Sequence, residues 1–298
     1  MGKSTLSLVY IAGALVLVFG LPNIISPLSQ KERQVEIPTL PEIEIMPSRI
    51  LQGVPVLVRV SNAEELVSIT LNGKELPTFM YDGAVSTLVA IDLNAKPGTS
   101  TLEVSYGDAS IEKPLVVEAR EKIIAPLGIP EKLGGNTTAS VERLVNTLAE
   151  ENTILSSLSS SDEIFWSETF GYPLESPVVT DEYGYTRSTV GQEISHKGTE
   201  FRADEGTPIV AMNQGEVRLV REFRNYGKTI VIDHGLGLMS FYMHLSDVDV
   251  SEGEMVEKGE RIGLSGKTGY AEEPHLHLSV RINHISIDPM VFLELFRQ

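Results

Sequence analysis

Cysteine is absent from the 298 residues. Its absence excludes disulfide frameworks, thiolate zinc sites and cysteine nucleophiles together. It is compatible with an oxidising compartment but does not demonstrate one. Positive charge is scarce as well: 24 lysines and arginines stand against 41 acidic residues, for a formal net charge of −17. A phosphate backbone rewards cations, so nucleic acid is not expected as a partner. Sustained contact with anionic lipid headgroups is disfavoured for the same reason, and solubility accounts for most of the acidity. Histidine is missing from the first 195 residues, and all six fall between positions 196 and 284. The rest of the composition is ordinary. A hydrophobic content of 42% argues against disorder, and the length accommodates two domains with non-core segments to spare.

A short basic start at Lys3 leads into an uncharged apolar run, Leu6 to Ile25. A helix crossing a bilayer needs about 20 such residues. A removed signal peptide would want a small-x-small site just after the run, but Ala12-Gly13-Ala14 lies in its middle. Residues 1–26 are therefore expected to be an uncleaved signal anchor rather than a cleaved signal peptide, with the remainder exported. Lys31 and Arg33, on the far side, work against that orientation.

Residues 27–41 are polar and punctuated by proline, and read as a tether. From 42 to 119 the pattern becomes short alternating runs, such as Val56-Leu57-Val58-Arg59-Val60 and Val67-Ser68-Ile69-Thr70-Leu71. The second leads into Asn72-Gly73, a strong hairpin signal. Further runs at 86–91, 101–106 and 115–117 are separated by Pro97-Gly98 and Gly107-Asp108. This spacing predicts a small β-sandwich, a spacer or adaptor without clustered catalytic residue types. Residues 120–163 read as a linker containing an amphipathic helix. Val141, Leu144, Val145, Leu148 and Leu155 recur at helical spacing between Thr138 and Leu158. The helix is expected to brace two domains, and the Ser-rich stretch Ser156–Ser161 to form a loop. From 164 to 298 strand patterns return at 208–211, 215–223, 229–234, 238–245, 261–265 and 275–282, with glycines between them. They predict a compact antiparallel β domain.

A single histidine on an apolar face is usually a satisfied core residue; six in one region, close to carboxylates, point instead to metal or acid–base chemistry. In Pro274-His275-Leu276-His277-Leu278-Ser279-Val280-Arg281-Ile282, alternation puts His275, His277, Ser279 and Arg281 on one strand face and the aliphatic residues on the other. Two imidazoles then project into one cleft. His196 and Glu200 lie four residues apart with Gly198 between them, and both can reach one cation. In Ser240-Phe241-Tyr242-Met243-His244, alternation groups Ser240, Tyr242 and His244. A catalytic zinc wants three protein ligands and an open position, and further histidines can orient water or stabilise an oxyanion.

The stretch from about Phe170 to Phe292 resembles the lysostaphin-type (LytM-like) zinc metallopeptidases, a family of peptidoglycan endopeptidases. Besides the histidines, the resemblance rests on Gly206-Thr207-Pro208 with Ala211 and Gly215, His234-Gly235, Tyr242-Met243-His244-Leu245, Gly253 with Gly259, and Ile262-Gly263. Thr268-Gly269, Pro274-His275-Leu276-His277 and Asp288-Pro289 complete it. The upstream strands resemble, less closely, the immunoglobulin-like module that precedes this domain in some relatives. The resemblance implies that His196, Glu200 and His277 bind zinc (Zn2+) and that His244 and His275 are the catalytic pair outside the ligand set. It implies structural support from His234, while His284 matches nothing and is expected at the surface. The activity implied is hydrolysis of peptide bonds in peptidoglycan stem peptides or cross-bridges by zinc-activated water.

Two departures stand out. Glu200 occupies a position where that family has aspartate; one methylene moves a carboxylate by about 1.5 Å, and glutamate is an ordinary zinc ligand. Ala271-Glu272-Glu273 stands where small residues and glycine are usual, so acidic side chains either line the cleft or face solvent. The fold expected is mainly β: a membrane segment, an immunoglobulin-like sandwich, a helical linker and a β metallopeptidase domain. The partners expected are peptidoglycan, the membrane through the N-terminal segment, and cell-wall hydrolases or division proteins. The alternative is a family member without turnover that binds or activates another cell-wall hydrolase. Val256-Glu257-Lys258-Gly259 resembles a turn of biotin- or lipoyl-carrying domains, but a carrier leaves the histidines unexplained.

Overall fold

The computed structural model describes residues 40–296 except 63–66, 168 and 190. The expected membrane segment and nearly all of the tether lie outside the described residues. Among the described residues, no helix is long and apolar enough to cross a membrane.

The first nine strands are β1 (Glu42–Met46), β2 (Ile50–Leu51), β3 (Pro55–Ser61), β4 (Val67–Leu71), β5 (Lys74–Glu75), β6 (Phe79–Tyr81), β7 (Ala84–Ala90), β8 (Gly98–Tyr106) and β9 (Ala109–Glu118). They form two sheets, ordered β1-β3-β7-β6 and β2-β9-β8-β4-β5. Alternation sends Val56, Val58 and Val60 of β3, Ile69 of β4, Leu102 and Val104 of β8 and Leu115 of β9 into one aliphatic core. The turn between β4 and β5 has φ of 50° at Asn72 and 78° at Gly73, the pair of positive values that a two-residue hairpin turn of this kind demands. The four-stranded sheet is covered on its other face too. There Met46, Leu57, Phe79 and Leu88 join Trp166, Phe170 and Phe296 in the largest core of the molecule. Burial on both faces is why β3 reads as an almost unbroken apolar run.

The remaining strands and α-helices are β10 (Ile124–Pro126), α1 (Thr138–Ser156), β11 (Val179–Asp181), β12 (Thr186–Thr189), β13 (Gln192–Ser195), β14 (Thr199–Arg202), β15 (Pro208–Val210), β16 (Gly215–Phe223), β17 (Gly227–Gly235), β18 (Leu238–Leu245), β19 (Asp247–Val248), β20 (Met255–Val256), β21 (Arg261–Leu264), β22 (His275–Ile282), β23 (Ile285–Ile287) and α2 (Pro289–Leu295). The main sheet runs β11-β14-β22-β18-β17-β16-β20, with β23 also beside β22, and its pairs are antiparallel. Two three-stranded sheets, β15-β21-β19 and β10-β12-β13, flank it. β16, β18 and β22 occupy the spans that alternation marks. β11 to β13 are not marked by it, because strands of three or four residues leave little pattern to read, and the seven-residue helix α2 is not marked either.

The two faces of the main sheet differ in kind. Leu276, Leu278, Val280 and Ile282 of β22 enter the large core, while His275, His277, Ser279 and Arg281 face the other way. Helix α1 lies on that second face. Its start is capped by the Thr137 hydroxyl, which accepts from the Ser140 N–H at 3.2 Å. Its apolar stripe is split between two clusters. Val141 and Leu144 pack with Ile129, Ile194 and Tyr270, and Leu155 packs with Phe223, Phe241 and Met243. A polar patch lies between them. The Asn225 N–H donates to Glu151 Oε1 at 2.9 Å, Asn225 Nδ2 to Thr147 Oγ1 at 2.7 Å, and Arg281 Nη2 to Asn152 Oδ1 at 3.1 Å.

The chain between β9 and β10 is fastened to three segments at once. Arg120 donates from Nε to the Gln52 carbonyl at 2.8 Å, from Nη1 to the Tyr183 carbonyl at 3.1 Å and from Nη2 to Asp288 Oδ2 at 2.9 Å. Tyr183 is itself buried, and its hydroxyl donates to the Ser286 carbonyl at 2.8 Å.

Candidate metal centre

Strand register builds the site as a row across the sheet. Asp181 of β11 stands opposite Glu200 of β14, Glu200 opposite His277 of β22, and His277 opposite Met243 of β18. Directly opposed residues on neighbouring strands share a face, so Glu200 and His277 emerge side by side. His196 reaches the same point from the turn between β13 and β14. Its backbone is pinned on both sides: its N–H donates to the Tyr185 carbonyl at 2.7 Å, and its carbonyl accepts from the Gly184 N–H at 2.9 Å. The ligand-capable atoms of His196, Glu200 and His277 all lie within 4.8 Å of one another.

The donor chemistry of these three residues fits a cation. His196 Nδ1 lies 2.9 Å from the Glu182 carbonyl. A carbonyl only accepts, so Nδ1 holds the hydrogen and Nε2 presents a bare lone pair. That lone pair faces Glu200 Oε1 at 3.4 Å and His277 Nδ1 at 3.3 Å. Burial, reinforced by His196 and His244, holds His277 well below the ordinary imidazole pKa. It is therefore neutral, as a ligand must be. Burial works to raise the Glu200 carboxyl, but the imidazoles of His196, His277 and His275 around it outweigh burial and hold the group below the usual carboxylate range. Gly198 is required by contact: a Cβ there would lie 2.2 Å from His277 Nε2.

His244 and His275 stand beside this group, with ring centroids 4.8 Å apart. His244 does not reach the site in the way alternation predicts. Ser240 and Tyr242 project from the opposite face, where the backbone N–H of Met212 donates to the Tyr242 oxygen at 2.9 Å. His244 has φ of 64°, next to an irregularity in the β17–β18 pairing, and this turns its ring onto the face of Met243 and His277. Its Nδ1 donates to the Thr268 carbonyl at 2.9 Å, and His275 Nδ1 donates to the Glu273 carbonyl at 2.9 Å. In a neutral ring so held, Nε2 is the acceptor. His275 Nε2 is buried without a hydrogen-bond partner, 3.9 Å from Glu200 Oε1. Burial and the neighbouring His275 push His244 down to about 3, so it is neutral.

The other two histidines lie apart from this group. His234 is buried at the end of a chain of polar groups, with Nδ1 donating to the Gln214 carbonyl at 2.8 Å and Nε2 2.8 Å from Ser240 Oγ. Ser240 Oγ lies 3.1 Å from the Tyr242 oxygen. Each hydroxyl carries one hydrogen, so the chain closes in one direction: Tyr242 donates to Ser240, and Ser240 to His234. His284 is exposed in the turn between β22 and β23.

The five clustered residues open into a cavity of about 740 Å3, walled on one side by Leu144 and Leu148 of α1. Glu272 and Glu273 are exposed and also line its rim. Two contributors are not visible in the sequence. Asp181 extends the row beyond Glu200, and Arg187 of β12 lines the cavity and pairs with Asp181. The register that brings them together spans strands too short to carry a pattern.

Residues 194–289 match the model of Peptidase family M23. The chain is 39% identical over 95 residues to the peptidoglycan DD-endopeptidase ShyA of Vibrio cholerae, a stretch that is 32% of this chain and 22% of that protein. It is 28% identical over 233 residues to the lipoprotein YgeR of Escherichia coli, covering 74% of this chain and 85% of that one. The matches to the first curated relatives span only 20% to 24% of those proteins' lengths. A crystal structure assigned to peptidase M23 from Pseudomonas aeruginosa aligns with a TM-score of 0.58 at 26% identity, over 84% of this chain and 97% of that one. With the row of Glu200 and His277 at its centre and His196 beside it, the matched stretch, residues 194–289, is a Peptidase M23 domain.

Proposed function

We propose that the chain is a membrane-anchored, exported zinc endopeptidase that hydrolyses peptide bonds in peptidoglycan stem peptides or cross-bridges. In this reading residues 1–26 are a signal anchor and 27–41 a tether. Residues 42–119 are an immunoglobulin-like β-sandwich acting as a spacer, 120–163 a linker, and 164–298 the peptidase. The observation that carries the reading is the convergence of His196, Glu200 and His277 within 4.8 Å, with His244 and His275 alongside. The name of ShyA, a peptidoglycan DD-endopeptidase, supports the substrate class, and that of YgeR, a lipoprotein, supports an envelope location.

His196, Glu200 and His277 would hold the metal. A bound zinc ion supplies a Lewis acid that polarises the scissile carbonyl and acidifies water. The protein's own share of the chemistry falls to His244 and His275. Two Nε2 acceptors directed at one space can take both hydrogens of a water and so aim its oxygen. One of them can then accept a proton from that water and return it to the departing amine.

Zinc content measured on the purified chain, together with mass analysis of fragments released from isolated sacculi, tests the reading. Close to one zinc per chain with released muropeptides is expected. A folded chain with neither zinc nor cleavage overturns it in favour of a binding or activating module for another cell-wall hydrolase.

A further inference from the structure

Sheet register sets two carboxylates side by side in the site. Asp181 and Glu200 stand opposite each other on β11 and β14, and like charges in that arrangement repel. Asp181 is also almost wholly buried, which sharpens the repulsion because little water screens it. Arg187 lies between them: its Nη2 contacts Asp181 Oδ2 and stands 4.0 Å from Glu200 Oε1. Asp181 Oδ2 also lies 3.9 Å from His196 Nδ1, close enough for its charge to act on that ligand. Around the Glu200 carboxylate stand the imidazoles of His196, His277 and His275 as well. Among the described residues, Arg187 is the one guanidinium or ammonium group within 4.0 Å of it.

A glutamate carboxylate moves about three side-chain torsions, and a metal ligand has to be held to within about 0.2 Å. Something must fix it. We propose that the Asp181–Arg187 ion pair is a positioning device for Glu200 and His196. Arg187 separates two carboxylates that the sheet forces together, and this allows a glutamate to serve as a ligand at position 200. The inference rests on the metal centre proposed above. Arg187 acts through Glu200 and is a positioning residue.

The arrangement makes a non-additive prediction. Arg187→Gln leaves Asp181 facing Glu200 unscreened, and Asp181→Asn leaves Arg187 to pair with Glu200 in competition with the metal. Each single change is expected to weaken zinc binding by about 10- to 100-fold, the range found when a ligand's supporting partner is lost. The double variant removes both the repelling anion and the competing cation, and is expected to recover most of that loss. Arg187→Lys keeps the charge and is expected to stay within about tenfold of wild type.

The measurement is zinc dissociation from the full chain by competition with a chromophoric chelator, with thermal unfolding followed in parallel as a control on folding. Single variants that bind zinc as wild type does, or a double variant at least as weak as the worse single one, overturn the positioning role and leave the metal centre standing. A wild-type chain that takes up no zinc overturns both.

Discussion

In the two sheets between residues 40 and 119, the buried polar side chains among the described residues are Ser86 and Thr87. In the C-terminal region they include Asp181, Asp233, His234, His244, His277 and Arg281. Both regions are built mainly from antiparallel strands over apolar cores, with one parallel pair in each, so the contrast does not come from the type of sheet. It comes from what covers the faces. The four-stranded sheet has apolar partners on both sides, and among its described residues no Asp, Glu, His, Lys or Arg is fully buried. The main C-terminal sheet has one face sealed by aromatic and aliphatic packing and the other covered by a helix whose underside is partly polar. The sealed face supplies rigidity, and the half-covered face supplies shaped space beside which buried His244 and His277 stay neutral. A reactive site needs both in one sheet.

Four experiments break or sharpen this contrast. The largest effect is expected for His275→Ala, which removes a group facing the cavity without touching the three converging ligands. Turnover on muropeptides should fall by about 10²- to 10⁴-fold, with zinc content by elemental analysis unchanged. Leu102→Ala, in the core of the upstream sheets, tests the opposite expectation. It should cost about 2–5 kcal/mol of stability in denaturant titration while leaving zinc content and turnover per folded molecule unaltered.

The third experiment uses pH. Burial, against the pull of the Gln214 carbonyl and Asp233, pushes His234 down to about 4 from 6.5. The folded state thus favours the neutral ring, and its contribution to stability is complete above pH 6.5 and lost as pH falls toward 4. Wild type should lose up to about 3 kcal/mol over that interval from this group. His234→Gln should show a shallower pH dependence of its unfolding free energy, and an unchanged profile would contradict the assignment. The smallest effect is expected from Thr137→Ala, which removes the cap of α1 and should lower the melting midpoint by the equivalent of about 1 kcal/mol.

Much of this contrast is legible along the chain. The alternation in β22 separates the imidazole face from the core face residue by residue, because eight residues of period two leave little ambiguity. The helix is legible too: its apolar spacing marks Thr138 to Leu158, and it runs from Thr138 to Ser156. What spacing does not convey is where the stripe lands. Val141 and Leu155 belong to different clusters, with Glu151 buried between them. His244 shows a different limit, since alternation holds only while the backbone stays extended, and one left-handed residue reverses the face. Asp181 and Arg187 escape notice for a third reason. Their importance lies in lateral register between short strands, which depends on the whole sheet.

The fastening at Arg120 has a mechanical side. The segment that aims His196, through the Glu182 carbonyl and the backbone bonds at Gly184 and Tyr185, is held on its far side by Arg120 and by the Tyr183 hydroxyl. The stretch that matches the family begins only at residue 194. A fragment cut there would keep all five clustered side chains yet lose the bracket from which one of them hangs.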